Sequence, residues 1–127
     1  MTKSLYEAVG KERLHRLIDT FYGYVSQDEI LLKIFPENWE EIAYKQKLFQ
    51  TQFLGGPNLY IQEFGHPMMR ARHMPFRITA IEKQAWLKNM RRAMQDIELE
   101  EELQEAMMER YERVGQMMVN TPVEDDD

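Results

Sequence analysis

Apolar side chains recur at three- and four-residue intervals along most of this chain, and no stretch alternates apolar and polar as a half-buried strand would. That rhythm limits the fold more than composition does, because one-sided helices must bury their apolar stripes against one another. Leu14, Leu17, Ile18, Phe21, Tyr22 and Val25 mark a helix over about 12–27. Pro36 interrupts the pattern, and Asn38 is a suitable cap for the next helix, with Glu41 three residues on. That helix, about 39–54, stacks Ile42, Gln46, Phe49 and Phe53 on one face until "GGPN" at 55–58 ends it. Residues 59–66 show no period and read as loop. A short helix is expected from Pro67 to about His73, since Pro75 drives Met74 out of the α region. Two long helices follow. The first, 77–97, points Ile78, Ile81, Trp86, Met90, Ala93 and Ile97 inward, and the second, 99–118, uses Leu103, Met107, Val114 and Met118. The expected class is all-α, as one domain over 1–120 followed by an acidic disordered tail at 121–127.

Composition removes several kinds of function. Sixteen basic against twenty-two acidic side chains leave a net charge of −6, the wrong sign for general nucleic-acid binding. No apolar run approaches the roughly 20 residues that span a bilayer, so no membrane partner is expected. "MTKSLYEAVG" lacks the basic and apolar segments of a secretory signal, and with no cysteine the chain has neither disulfides nor thiolate-held or thioether-linked groups. A cytoplasmic protein is expected.

The chemistry concentrates in "GHPMMRARHMPF", residues 65–76. His66 precedes a proline at a helix start, where it can cap locally; His15, among polar neighbours, reads as a surface residue. His66 and His73 cannot share one ion. Seven residues of helix separate them by roughly 10 Å along the axis, whereas a zinc–nitrogen bond is about 2 Å. His73 differs because it ends a short helix, where the Met69 carbonyl can accept its Nδ1–H. Nε2 then keeps its lone pair, as a single axial metal ligand requires. Arg70 and Arg72 stand close by in sequence and suit carboxylates. Taken alone, a histidine at a helix end is more often structural. Two further features need explaining. The Gln46 amide on an apolar face costs roughly 1–3 kcal/mol unless something bonds it. Nine of the ten methionines come at or after residue 68, either as core filler or against a flat apolar ligand.

With these pieces in order, the sequence resembles the bacterial group II truncated haemoglobins. The likeness runs from "LYEAVG" at 5–10 to "MMVN" at 117–120, through "FY" at 21–22, "IFP" at 34–36 and "KQKLFQTQFLGGPNLY" at 45–60. It continues in "GHPMMRARHMPFRI" at 65–78 and Trp86, thirteen residues past His73. The resemblance implies a shortened globin in which two helix pairs, 12–27 with 39–54 and 77–97 with 99–118, sandwich a non-covalent haem b. By the same resemblance His73 is the proximal iron ligand, and Arg72, Lys45 and Tyr60 meet the haem propionates. Phe35, Phe49, Phe53, Met69, Ile78 and Met90 pack on the haem faces. Tyr22, Gln46 and Trp86 match the distal polar positions, and each can donate a hydrogen bond. Ile42 departs from the family at a gate position where relatives often carry a small or hydroxyl side chain. Phe35 removes a hydroxyl from beside Tyr22.

The implied function is reversible, tight binding of dioxygen and other diatomic gases. A hydrogen bond to a charged group contributes about 1.5–3 kcal/mol, so two donors tighten binding on the order of 100-fold. The alternative is a haem enzyme, oxidising nitric oxide or turning over peroxide. It would need an external reductase, because no flavin or nicotinamide motif is present in the sequence. A third reading is a haem-free helical module that uses its methionine-rich face as a partner groove.

Overall fold

The computed structural model describes residues 3–35 and 38–123, and all regular structure among them is helical. Eight helices follow in order: α1 (Leu5–Val9), α2 (Lys11–Val25), α3 (Glu29–Leu32), α4 (Trp39–Phe53), α5 (Leu59–Phe64), α6 (Met69–His73), α7 (Ala80–Asp96) and α8 (Glu101–Met118). Helix α2 packs on both α4 and α7, and α7 packs on α8, so the two expected pairs are joined through α2 and α7. The core fills the space between them with Leu14, Leu17, Ile18 and Phe21 of α2, Met90 and Met94 of α7 and Met107 of α8, none more than 1% exposed.

Local chemistry sets the helix ends. Ser4 and Glu7 form a reciprocal capping box at α1, and Gly10, at φ +85°, breaks α1 from α2 in a conformation that favours glycine. Asn38 caps α4 as expected, its Oδ1 accepting the Glu41 N–H at 3.1 Å. At α7 the expected start moves from 77 to Ala80, because Thr79 is extended and acts as the cap. Its Oγ1 accepts the Ile81 N–H at 3.1 Å, while its own N–H donates to Glu82 Oε1 at 2.7 Å.

Three expectations are corrected. Residues 59–66 are not simply loop: α5 buries Tyr60 and packs on α4, with the Ile61 N–H held by Gln52 Oε1 at 3.0 Å. Helix α6 begins at Met69 and not at Pro67, since Met68 takes a left-handed conformation at φ +48°. Ile81 does not point inward but is 49% exposed. The first turn of α7 turns Glu82 and Lys83 to the interior, where Thr79 and α8 bond them. The helix break assigned to Pro36 lies outside the described residues, as do tail residues 124–127. Thr121, where the tail was expected to begin, still donates its N–H to Ile78 O at 3.1 Å.

Two of these contacts yield expected outcomes. A Cβ on Gly56 would fall 2.6 Å from Tyr6 Cδ2 and 2.8 Å from Thr51 O, which shows how closely the end of α4 approaches α1. Gly56→Ala should therefore cost about 1–3 kcal/mol by overpacking, seen as a lower urea midpoint with unchanged slope. Burial opposes ionisation of Glu82, but the two Thr79 hydrogen bonds and Lys33 outweigh it and hold the carboxyl below its usual pKa. A depressed folded-state pKa adds stability above the unfolded value, and that stability is lost as pH falls through the folded value. Glu82→Gln should thus lower the urea midpoint clearly at pH 7, and the gap from the unaltered protein should shrink under acid conditions.

Candidate functional site

Between the two helix pairs lies a partly open cavity of about 130 Å³. Its walls are largely apolar: Leu31, Ile34, Phe35, Phe49, Phe53, Met69, Ile78, Leu87, Val114 and Met118. The polar groups on those walls are few, namely Tyr22, Gln46, Gln50, His73, Glu82, Lys83, Trp86 and Tyr111.

His73 reaches the wall from the last position of α6. Its Nδ1 lies 2.6 Å from the Met69 carbonyl, the bond expected from sequence. A carbonyl oxygen only accepts, so the pairing assigns the ring proton to Nδ1 and leaves Nε2 with a lone pair. Asn120, just beyond α8, holds the backbone that follows. Its Nδ2 donates to the carbonyls of His73 (3.2 Å) and Phe76 (2.8 Å), and its Oδ1 accepts the Ile78 N–H at 3.0 Å. His66 acts locally, its Nδ1 accepting the Met68 N–H at 3.0 Å. His15 is half-buried and not a plain surface residue; that burial, with Lys47 and Lys11 near, lowers its pKa.

The donor groups come from three helices. Tyr22 of α2 is 6% exposed, and burial pushes its phenol far above the usual pKa, so it stays protonated. Trp86 of α7 meets Phe21 edge-on at 4.9 Å and Tyr111 at 5.2 Å between ring centres. Neither the Tyr22 hydroxyl nor the Trp86 indole N–H has a hydrogen-bond partner among the described residues. Gln46 of α4 accepts from Gln50 Nε2 at 3.4 Å, and Gln50 Oε1 accepts from the Tyr111 hydroxyl at 2.7 Å.

Other residues singled out from sequence lie off the wall. Met90 is fully buried in the α2–α7–α8 core, one turn past Trp86, and does not line this cavity. Ile42 is half-buried against that core. Tyr60 stands behind Phe49, edge-on at 5.9 Å. Lys45 pairs with Glu41 at 3.0 Å and lies 5.2 Å from the centre of the Phe64 ring. Arg72 is exposed on α6 and forms no ion pair among the described residues. Sequence reasoning missed Gln50, Glu82, Lys83 and Tyr111. Gln50 was open to discovery, since an amide four residues after Gln46 shares its helix face. Lys83 was not, because its burial depends on Glu112 (2.5 Å) and Gln116 (2.9 Å) across α8. Gly115 leaves room there for the lysine stem, as a Cβ would lie 3.3 Å from Lys83 Cγ.

Comparison with known proteins places this architecture. The profile of the bacterial-like globins matches residues 4–120. The group 2 truncated hemoglobin YjbI of Bacillus subtilis is 50% identical over 121 residues, covering 94% of this chain and 92% of that protein. The two-on-two hemoglobin-3 of Arabidopsis thaliana is 30% identical over 120 residues, covering 91% and 69%. Among solved structures, the group II truncated hemoglobin of Bacillus anthracis superposes with a TM-score of 0.94 at 48% identity, covering 98% of this chain and 96% of that one. The truncated oxygen-avid haemoglobin of Bacillus subtilis gives 0.89 at 49%, covering 93% and 100%. All-helical, paired two on two around one cavity and matched along almost its full length, the chain belongs to the bacterial-like globins as a group II truncated haemoglobin.

Proposed function

We propose that the cavity holds a haem b on His73 and that the protein binds dioxygen and other diatomic gases reversibly and tightly. One observation carries this reading. A histidine with Nδ1 tied to a carbonyl and Nε2 left as a lone pair faces a largely apolar cavity that also receives Tyr22, Gln46 and Trp86. The residues fit the group. No cluster of three or more His, Asp or Glu side chains could hold a metal ion among the described residues, so an ion here needs a macrocycle to complete its ligand set. With no cysteine in the chain, that macrocycle is held without thioether links. Phe49, Phe53, Met69 and Ile78 supply apolar wall, while Arg72 and Lys45 outside it suit the acid side chains of a haem.

Bound haem supplies a ferrous iron that can take a diatomic gas and push electron density onto it. The protein decides which gas is held. The Tyr22 hydroxyl, the Trp86 indole N–H and the Gln46 amide can each donate to a ligand atom that gains negative charge, which favours dioxygen over the less polar carbon monoxide. The aromatic walls keep competing water low, which strengthens each bond. The oxygen-avid character of the Bacillus subtilis relative supports the same affinity here. Slow release suits sensing or scavenging better than oxygen transport. No helix among the described residues is long and apolar enough to cross a membrane; the cysteine-free composition fits action in the cytoplasm.

The same donors favour a second reading, in which they polarise the O–O bond of a peroxide or help bound oxygen oxidise nitric oxide, with electrons from an external reductase. Multi-turnover rates no better than those of haemin in solution would exclude it.

The test of the first reading is optical. Ferric, dithionite-reduced and carbon-monoxide-treated protein should show distinct Soret bands, lost or altered in His73→Ala. No chromophore after haem addition would leave only the helical module. Trp86→Phe should speed oxygen release about tenfold or more, the effect of one charge-assisted hydrogen bond, measured by stopped-flow displacement with carbon monoxide.

A further inference from the structure

We infer that Tyr111 and Gln50 are positioning residues that fix which end of the Gln46 amide faces the gas, and so set the ligand preference of the cavity. The inference rests on the gas-binding reading and extends it to two residues that need not touch the ligand. An amide presents an acceptor at one end and two donors at the other, and its orientation follows from its partners. Here the partners form a one-way sequence. The Tyr111 hydroxyl is buried, and among the described residues its only hydrogen-bond partner is Gln50. Burial pushes its phenol well above the usual pKa, so the proton stays and must be donated. Gln50, itself 3% exposed, therefore turns its carbonyl oxygen to Tyr111 at 2.7 Å. Its Nε2 is then left for Gln46, whose Oε1 accepts at 3.4 Å.

With its oxygen turned to Gln50, Gln46 has its Nε2 hydrogens at the end left for the cavity it lines. The opposite polarity would turn the Gln46 carbonyl to the ligand and leave the buried Tyr111 proton without an acceptor, at the desolvation penalty of an unpaired polar group. Each bond in such a row polarises the next, so the last amide becomes a better donor than a lone glutamine. Helix α8 thus acts on a ligand held between other helices through one hydroxyl proton.

The experiment compares holoprotein with Tyr111→Phe, which keeps the ring stacked on Phe53 and edge-on to Trp86 but removes the proton. The readouts are the infrared C–O stretch of the carbon monoxide adduct, which reports donors at the ligand, and the oxygen dissociation rate. Tyr111→Phe should raise the stretch frequency or split the band, and accelerate oxygen release about 3- to 10-fold, as loss of one ordinary hydrogen bond allows. Gln50→Met, which breaks the row at its middle, should act alike and serves if the first variant folds poorly. On a Gln46→Leu background, Tyr111→Phe should change neither readout further, because the row then has nothing to orient. Unchanged stretch and release in Tyr111→Phe, or the same change with and without Gln46, overturns the inference while leaving gas binding intact. An unaltered protein with no Soret band after haem addition instead overturns the gas-binding reading, and this inference with it.

Discussion

The bond between His73 Nδ1 and the Met69 carbonyl is made inside a helix that cannot hold itself. Helix α6 has five residues, and an isolated helix needs roughly 12–15 before it is even marginal in water. Its shape must come from its surroundings, and the structure shows the source. Asn120 reaches back from the end of α8 to the carbonyls of His73 and Phe76 and to the N–H of Ile78, while the Asn120 and Thr121 N–H groups return to Ile78 O. The residues after His73 are therefore anchored to the last long helix. The orientation of the imidazole depends on α8 running its full course.

Apart from Gln104 Oε1, a buried atom with no partner among the described residues, the polar groups of the interior include two kinds. Some are closed on themselves: Glu82 on the Thr79 cap, Lys83 between Glu112 and Gln116, and Asn89 on Asp28 and Ala85 O. Each is satisfied and helps fix how helices meet. Others belong to residues that line the cavity: the Tyr22 hydroxyl and the Trp86 indole N–H, with no partner among the described residues, and the Gln46 amide, bonded at its oxygen. On the gas-binding reading, a ligand that accepts hydrogen bonds would supply these groups with partners, which accounts for polar side chains on a wall that is otherwise apolar.

The long helices were legible because their apolar period extends over four or five turns, and Asn38 and "GGPN" punctuate them with ordinary end chemistry. Helices α3 and α5 were not legible, since four and six residues span too few turns for a period to register. Ile81 failed for another reason. Periodicity assigns apolar residues inward, but at the first turn of α7 a cap and two cross-helix bonds turn Glu82 and Lys83 in. The Nδ1 partner of His73 could be foreseen because it is local in sequence, four residues away. Tyr111 could not, because its partner Gln50 is 61 residues distant and nothing local in "MERYERVG" separates it from an ordinary core tyrosine. Met90, assigned to the haem by family likeness, lies in the core cluster and is not on the cavity wall.

The groups open to the cavity come from α2, α4 and α7, so their spacing is a property of helix packing and not of any one segment. Phe21 is the clearest link. It is 1% exposed and stands edge-on at 4.9 Å to both Tyr22 and Trp86, a wedge between two donors carried by different helices. Tyr111 also braces Trp86, edge-on at 5.2 Å, and stacks on Phe53 at 5.8 Å. An aromatic ring resists compression, so these contacts hold the donors at fixed separations with little motion to spare. A hydrogen bond loses strength steeply as its geometry slackens. On the gas-binding reading, core packing and ligand affinity are thus one problem in this molecule, because the rings that stabilise the crossing of α2 and α7 also set where the donors stand.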